Sequence, residues 1–212
     1  MTEHNYPSMR AAMVESQLRT SDVNEPRVIA AMAHVPREDF LPAARRAMAY
    51  IDRPVPLSGD RAINPPLATG RLLTEAAVKP GEKVLLIGAA TGYCAALLKV
   101  LGADVTAVEE DAALVESARA NGVEVTQGAL VAGAAGGAPY DVVLIDGAVE
   151  NIPDALLGQL AEDGRIVTGL AERGVTRLCA GRKTGGSFGL NRLVDMEMVT
   201  LPGFAKPRSF AF

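Results

Sequence analysis

Gly88, Ala90 and Gly92, with Glu109 standing 21 positions after the first glycine, are the residues whose types and spacing could do chemistry. Val84 to Ile87 is an apolar run of strand type, Gly88 to Gly92 a turn of small residues, and Tyr93 opens a helix through Ala95, Ala96, Leu97 and Leu98. A strand, turn and helix of this kind bring backbone N–H groups and the positive end of a helix to the carboxyl edge of a sheet. A polar ligand is held there without help from side chains. The spacing is Gly-x-Ala-x-Gly rather than Gly-x-Gly-x-x-Gly, so a dinucleotide fits poorly. Residues 103–108, ADVTAV, form a second apolar strand that Glu109 closes. A carboxylate at that point suits the paired hydroxyls of a ribose, because it accepts two hydrogen bonds in one plane. The blander readings are a tight turn that binds nothing and three acids, Glu109 to Asp111, that merely start the next helix. Together the two signals predict an adenosine-containing ligand, with the helix-start role left to Glu110 and Asp111.

Other candidates are fewer. Asp146 follows a strongly apolar strand, Val142 to Ile145, and a carboxylate at the carboxyl end of such a strand faces the ligand crevice; capping the next turn is its alternative role. His34, one of two histidines, ends a helix, where it favours the negative pole more simply than it moves protons. Cys94 and Cys179 match no metal spacing, and Cys94 reads as a small buried residue.

The elements that must position these residues follow from composition and pattern. The 212 residues are 49% hydrophobic but only 4% aromatic, without Trp, so Ala, Val and Leu must fill the core. A net charge of −4 and the lack of a basic run argue against nucleic acid as a main partner. No apolar segment reaches membrane-spanning length and the N-terminus lacks an export signal, so a reducing, cytoplasmic setting is expected. Ser8 is expected to cap a first helix carrying Met9, Ala12, Met13 and Leu18. Asn24-Glu25-Pro26 starts a second that ends near Val35, and a third runs around Pro42 to Ala47. Tyr50 to Leu67, with Pro54, Pro56, Pro65 and Pro66, reads as a loop able to fold over the ligand edge, ahead of a helix from Ala68 to Val78. Beyond the second strand come a helix from Ala112 to Ala120, a short strand (Val123 to Thr126) and a flexible Gly/Ala loop (Gly128 to Ala138). The Asp146 strand, a helix from Pro153 to Leu160 and a fifth strand from Gly164 to Leu170 follow, and Val175 to Gly181 with Leu190 to Val199 form an antiparallel pair. The pattern predicts a Rossmann-like α/β fold, mostly parallel and closed by a hairpin. Residues 1–80 would form a helical extension with a substrate loop, and 81–212 the ligand-binding domain, in one compact unit.

At this point the chain resembles the protein-L-isoaspartate (D-aspartate) O-methyltransferase family over nearly its whole length. The resemblance lies in MVESQLR (Met13 to Arg19), VPREDFLP (Val35 to Pro42), AYIDRPVPL (Ala49 to Leu57), VLLIGAATGY, AVEE, APYDVVLIDGA (Ala138 to Ala148) and IPDALLGQLAEDGRIV (Ile152 to Val167). It implies an enzyme that uses S-adenosylmethionine to esterify isoaspartyl residues of damaged proteins. Gly88, Ala90, Gly92, Tyr93, Glu109 and Asp146 would then lie on the cofactor and Asn64 at the substrate carboxylate. The departures are specific. The family's threonine-isoleucine-serine-x-proline stretch is Ala62-Ile63-Asn64-Pro65-Pro66, the acid of the first strand is Leu86, the middle glycine of the turn is Ala90, and a glycine-aspartate-glycine element is Gly128-Ala129-Leu130. Two or three lost hydrogen bonds of about 1 kcal/mol or more would weaken cofactor binding roughly a hundredfold to a thousandfold. Asp146, on a neighbouring strand, is expected to supply the charge that Leu86 lacks. The alternative reading is a catalytically degenerate relative that serves as a cofactor-binding or regulatory module. The oligomeric state stays open.

Overall fold

The Val84–Ile87 and Val142–Ile145 runs are apolar on both faces, the pattern of strands covered on both sides by helices. In the computed structural model, which describes residues 4–206, both lie at the centre of a seven-stranded sheet. The elements, in chain order, are α1 (Tyr6–Met13), α2 (Pro26–His34), β1 (Val55–Pro56), β2 (Ala62–Ile63), α3 (Pro66–Ala76), β3 (Lys83–Ile87), α4 (Tyr93–Val100), β4 (Asp104–Glu109), α5 (Ala112–Ala120), β5 (Thr126–Gln127), β6 (Tyr140–Val149), α6 (Asp154–Leu157), β7 (Leu160–Glu172), β8 (Val175–Thr184) and β9 (Ser187–Asp195). The sheet order is β5-β4-β3-β6-β7-β8-β9, parallel from β5 to β7 and antiparallel through the closing hairpin, as the sequence pattern predicts.

Alternation along the central strands divides the core in two. Leu86 and Leu144 face a cluster that holds Met13, Leu18, Met32, Leu72, Tyr93 and Leu97. Leu85, Ile87, Val143 and Ile145 face the other, with Leu156, Leu201 and Phe204. Residues before position 80 thus share a core with β3 and α4.

Several boundaries differ from expectation, each for a local reason. Asn5, not Ser8, caps α1, accepting from the Ser8 N–H at 3.1 Å, and the helix continues as a π turn through Val14–Leu18. Glu25 caps α2 by accepting from Val28 N–H at 2.7 Å, with Pro26 in the first turn. The third helix is a 3-10 segment, Ala43–Met48, and α6 is a single turn. The Gly128–Ala138 stretch is not a free loop. It contains two 3-10 turns, and Gln159 ties it down by accepting from Ala134 N–H and donating to the Ala132 carbonyl, both at 2.8 Å. Strand β6 does not stop at Asp146. Ala148 donates to Val199 O at 2.7 Å and accepts from Leu201 N–H at 2.9 Å, so residues 199–201 prolong the pairing where β6 and β7 shift register. Gly147 makes this possible, since a Cβ there would lie 2.7 Å from Leu201 Cγ.

Candidate active site at the carboxyl edge of the sheet

The turn after β3 needs its glycines. Gly88 and Gly92 have φ of +78° and +96°, where a side chain is strained. A Cβ on Gly88 would meet Leu201 Cδ1 at 2.8 Å, and one on Gly92 would meet Val123 Cγ2 at 2.9 Å. Ala90 holds φ of +49°, a left-handed conformation that costs an alanine about 1–2 kcal/mol. Its N–H donates to Glu109 Oε2 at 2.8 Å, a contact that helps hold the strained residue in place. Leu201 covers the Cβ side of Gly88, a contact with residues far along the chain that local pattern does not reveal.

Glu109 is fully buried at the end of β4. Three backbone donors aim its carboxylate: Ala90 N–H to Oε2, and Glu110 N–H and Asp111 N–H to Oε1 at 2.9 and 3.1 Å. Asp111 takes the helix-start role, accepting from Ala113 and Leu114 N–H. Arg61 adds a donor to each oxygen, Nη1 to Oε1 and Nη2 to Oε2 at 2.8 Å, so that Oε1 receives three donors and Oε2 two. Arg61 is itself only 8% exposed. It stands at the tip of the small β1–β2 hairpin inside the proline-rich segment.

Asn64 faces inward. It is 1% exposed; its Nδ2 donates to Asp146 Oδ1 at 2.8 Å and its Oδ1 accepts from Val199 N–H at 2.9 Å. Its carbonyl accepts from Arg37 Nη2 at 2.6 Å. Asn64, expected at the substrate carboxylate, joins the loop to β6 and to residue 199. Asp146 lies within β6 rather than at its end and is committed to Asn64, so it caps no turn. Tyr93, expected on the cofactor, packs its ring edge-on to Phe40 at 5.5 Å and beneath the Arg37 guanidinium at 5.0 Å. Its hydroxyl is buried without a partner, and burial pushes its pKa up to about 12. Burial likewise raises the Cys94 thiol, with Asp146 beside it, so this cysteine is inert packing. Leu86 is buried in the core and presents nothing to the edge. His34 is exposed at the end of α2. Among the described residues no group of three His, Cys, Asp or Glu side chains could hold a metal.

Burial raises the Asp146 pKa above its ordinary 3.8, against the opposing pull of Asn64, Arg37, Arg61 and Cys94. The folded protein therefore binds this proton more tightly than the unfolded chain, and stability falls as pH rises from about 4 through the raised folded value. Asp146→Asn keeps an acceptor for Asn64 and removes the buried charge. Urea midpoints measured between pH 4 and 8 are expected to fall less steeply with pH in this variant than in the wild type.

The family model for protein-L-isoaspartate (D-aspartate) O-methyltransferase matches residues 8–205. The chain belongs to this family. A protein-L-isoaspartate O-methyltransferase of Koribacter versatilis is 38% identical over 201 residues, covering 92% of this chain and 90% of that one. One from Methanoregula boonei is 35% identical over 201 residues, covering 92% and 93%. Among solved structures, a protein-L-isoaspartate O-methyltransferase superposes with a TM-score of 0.78 at 23% identity, over 92% of this chain and 66% of that one. A Plasmodium falciparum protein described as a putative member, solved with S-adenosyl-L-homocysteine, gives 0.75 at 20% identity over 94% and 99%. These last two likenesses establish the Rossmann-like methyltransferase fold.

Within this family frame, the donor set of the chain fits the sugar of S-adenosylmethionine. If the Arg61 guanidinium leaves, each Glu109 oxygen loses one donor, Oε1 keeping two backbone N–H groups and Oε2 one, and the carboxylate stays aimed. Two acceptor sites in one plane are what two ribose hydroxyls require. Arg61 and Arg37 are the residues that sequence reasoning passed over. The only local signal for Arg61 was its place as one of two cations, with Arg53, in a loop expected to fold over an acid; Arg37 lies inside VPREDFLP with nothing to mark it as buried.

Proposed function

We propose that the chain transfers the methyl group of S-adenosylmethionine to the free carboxylate of isoaspartyl or D-aspartyl residues in damaged proteins. Family membership over residues 8–205 supplies the activity. The observation that carries the reading for these particular residues is the Glu109 carboxylate, buried and aimed by three backbone donors beside the Gly88–Gly92 turn. When bound, the cofactor supplies an electrophilic sulfonium methyl. The substrate carboxylate has an intrinsic pKa of about 4 and is ionised at neutral pH, so no strong general base is required. The work left to the protein is to hold two reactants at attack distance in a place with little water. Glu109 would hold the ribose hydroxyls, and Gly88, Ala90 and Gly92 would shape the turn beneath them. Asn64 acts as a positioning residue, pinning the proline-rich segment to β6 through Asp146.

No helix among the described residues is long and apolar enough to cross a membrane. Cys94 and Cys179 are both free and buried, which agrees with a cytoplasmic setting. The test offers matched isoaspartyl and aspartyl peptides to the enzyme with an isotope-labelled methyl donor. Base-labile label in the isoaspartyl peptide alone is expected. Cofactor binding without label in either peptide would reduce the chain to a binding member of its family.

A further inference from the structure

The guanidinium that occupies Glu109 is carried by a slight piece of structure. Strands β1 and β2 have two residues each and pair only as Val55↔Ile63 and Pro56↔Ala62, apart from the seven-stranded sheet. The turn between them closes through Leu57 N–H to Arg61 O and Arg61 N–H to Ser58 O, with Gly59 and Asp60 exposed. Among the described residues the other polar contact of the tip with the sheet edge is a long 3.5 Å one from Ser58 Oγ to Asp111, and half-buried Leu57 at its start packs against the core. The foot of the hairpin is anchored differently. Asn64 is fastened to Asp146, Val199 and Arg37, and Ile63 is buried in the core. The tip can therefore lift while the foot stays in place. Arg61 binds both oxygens of an acid that three backbone N–H groups already hold, so guanidinium and ribose need the same two oxygens.

The geometry points to Arg61 as a built-in competitor of the cofactor: its guanidinium stands in for the ribose hydroxyls on Glu109, and residues 57–61 must swing out before S-adenosylmethionine can seat. This rests on the reading of Glu109 as the ribose acid. Arg61 then sets cofactor affinity and ties cofactor entry to movement of the substrate loop. Apparent affinity is reduced by the fraction of molecules that hold the tip open, so removing the competitor restores it.

The test titrates S-adenosyl-L-homocysteine calorimetrically into the wild type, Arg61→Ala and Arg61→Gln, and follows amide exchange of the wild type with and without this product. If the open form is about one molecule in ten, both variants are expected to bind about tenfold more tightly than the wild type. In the wild type, exchange at residues 57–61 should speed up on binding while exchange at Gly88 to Gly92 slows. Equal affinity in all three proteins, or protection of residues 57–61, would make Arg61 a fixed structural partner and overturn the inference while leaving the cofactor reading intact. Weaker binding by both variants would likewise overturn it. Absence of binding in all three, with the wild type folded, would remove the inference and the cofactor reading together. The exchange measurement needs no variant, so misfolding of either substitution leaves the question decidable.

Discussion

Glu109→Ala is expected to lower stability by about 3–5 kcal/mol, the loss usual when one partner of a buried ion pair is removed. For a chain of this size that corresponds to a fall in Tm of roughly 6–20 °C. The loss has two parts. Arg61, only 8% exposed, is left without its carboxylate, and the N–H groups of Ala90, Glu110 and Asp111 lose their acceptor. Ala90 also loses the bond to its N–H while keeping a backbone conformation that costs an alanine energy. Binding should fall as well: two hydrogen bonds from ribose to a charged acceptor are worth at least about 3 kcal/mol, or roughly a hundredfold in affinity. Thermal melts and calorimetric titration of S-adenosyl-L-homocysteine on the same preparation separate the effects. A variant that melts early but binds like the wild type would confine Glu109 to folding.

Arg37→Ala should be of similar size for a different reason. The side chain is fully buried, with Nε donating to Ala49 O at 2.8 Å, Nη2 to Asn64 O at 2.6 Å, and the guanidinium over the Tyr93 ring. Truncation leaves two carbonyls without donors, at about 1–3 kcal/mol each, before any cavity is counted. A total loss of about 3–5 kcal/mol is expected, seen as a lower urea midpoint. Arg37→Met fills much of the volume without the donors and should lose about 2 kcal/mol, which isolates the hydrogen-bonding share. Because Arg37 holds the carbonyl of Asn64, both variants should be cut faster by protease between residues 51 and 65. A loop cut at the wild-type rate in both variants would show that Asn64 is held without Arg37.

The parts of the molecule legible in the sequence were those specified by neighbours in the chain. The apolar run before Gly88, the Glu25-Pro26 start of α2 and the acid after Val108 need only local chemistry, and each stands where its pattern put it. What escaped depends on partners far along the chain. Strand β6 runs on past Asp146 because Val199 and Leu201 bond to Ala148, and the glycine- and alanine-rich stretch is ordered because Gln159 reaches it from beyond α6. The inward turn of Asn64 follows from the same cause, since its partners lie at positions 146 and 199. Arg61 is separated from Glu109 by 48 positions, a distance over which charge pattern alone names no pair.

The bridge between Ala148 and Thr200 also bears on how the protein comes into being. On a ribosome the helices around Met13 and Met32 emerge before Leu86 and Tyr93, so their apolar faces wait for a surface to meet. The edge beside Gly88 waits longer still, until Leu201 has left the exit tunnel to cover it. Contacts between such distant positions slow folding. A nascent chain stalled short of residue 199 should accordingly carry an unfinished edge beside Gly88.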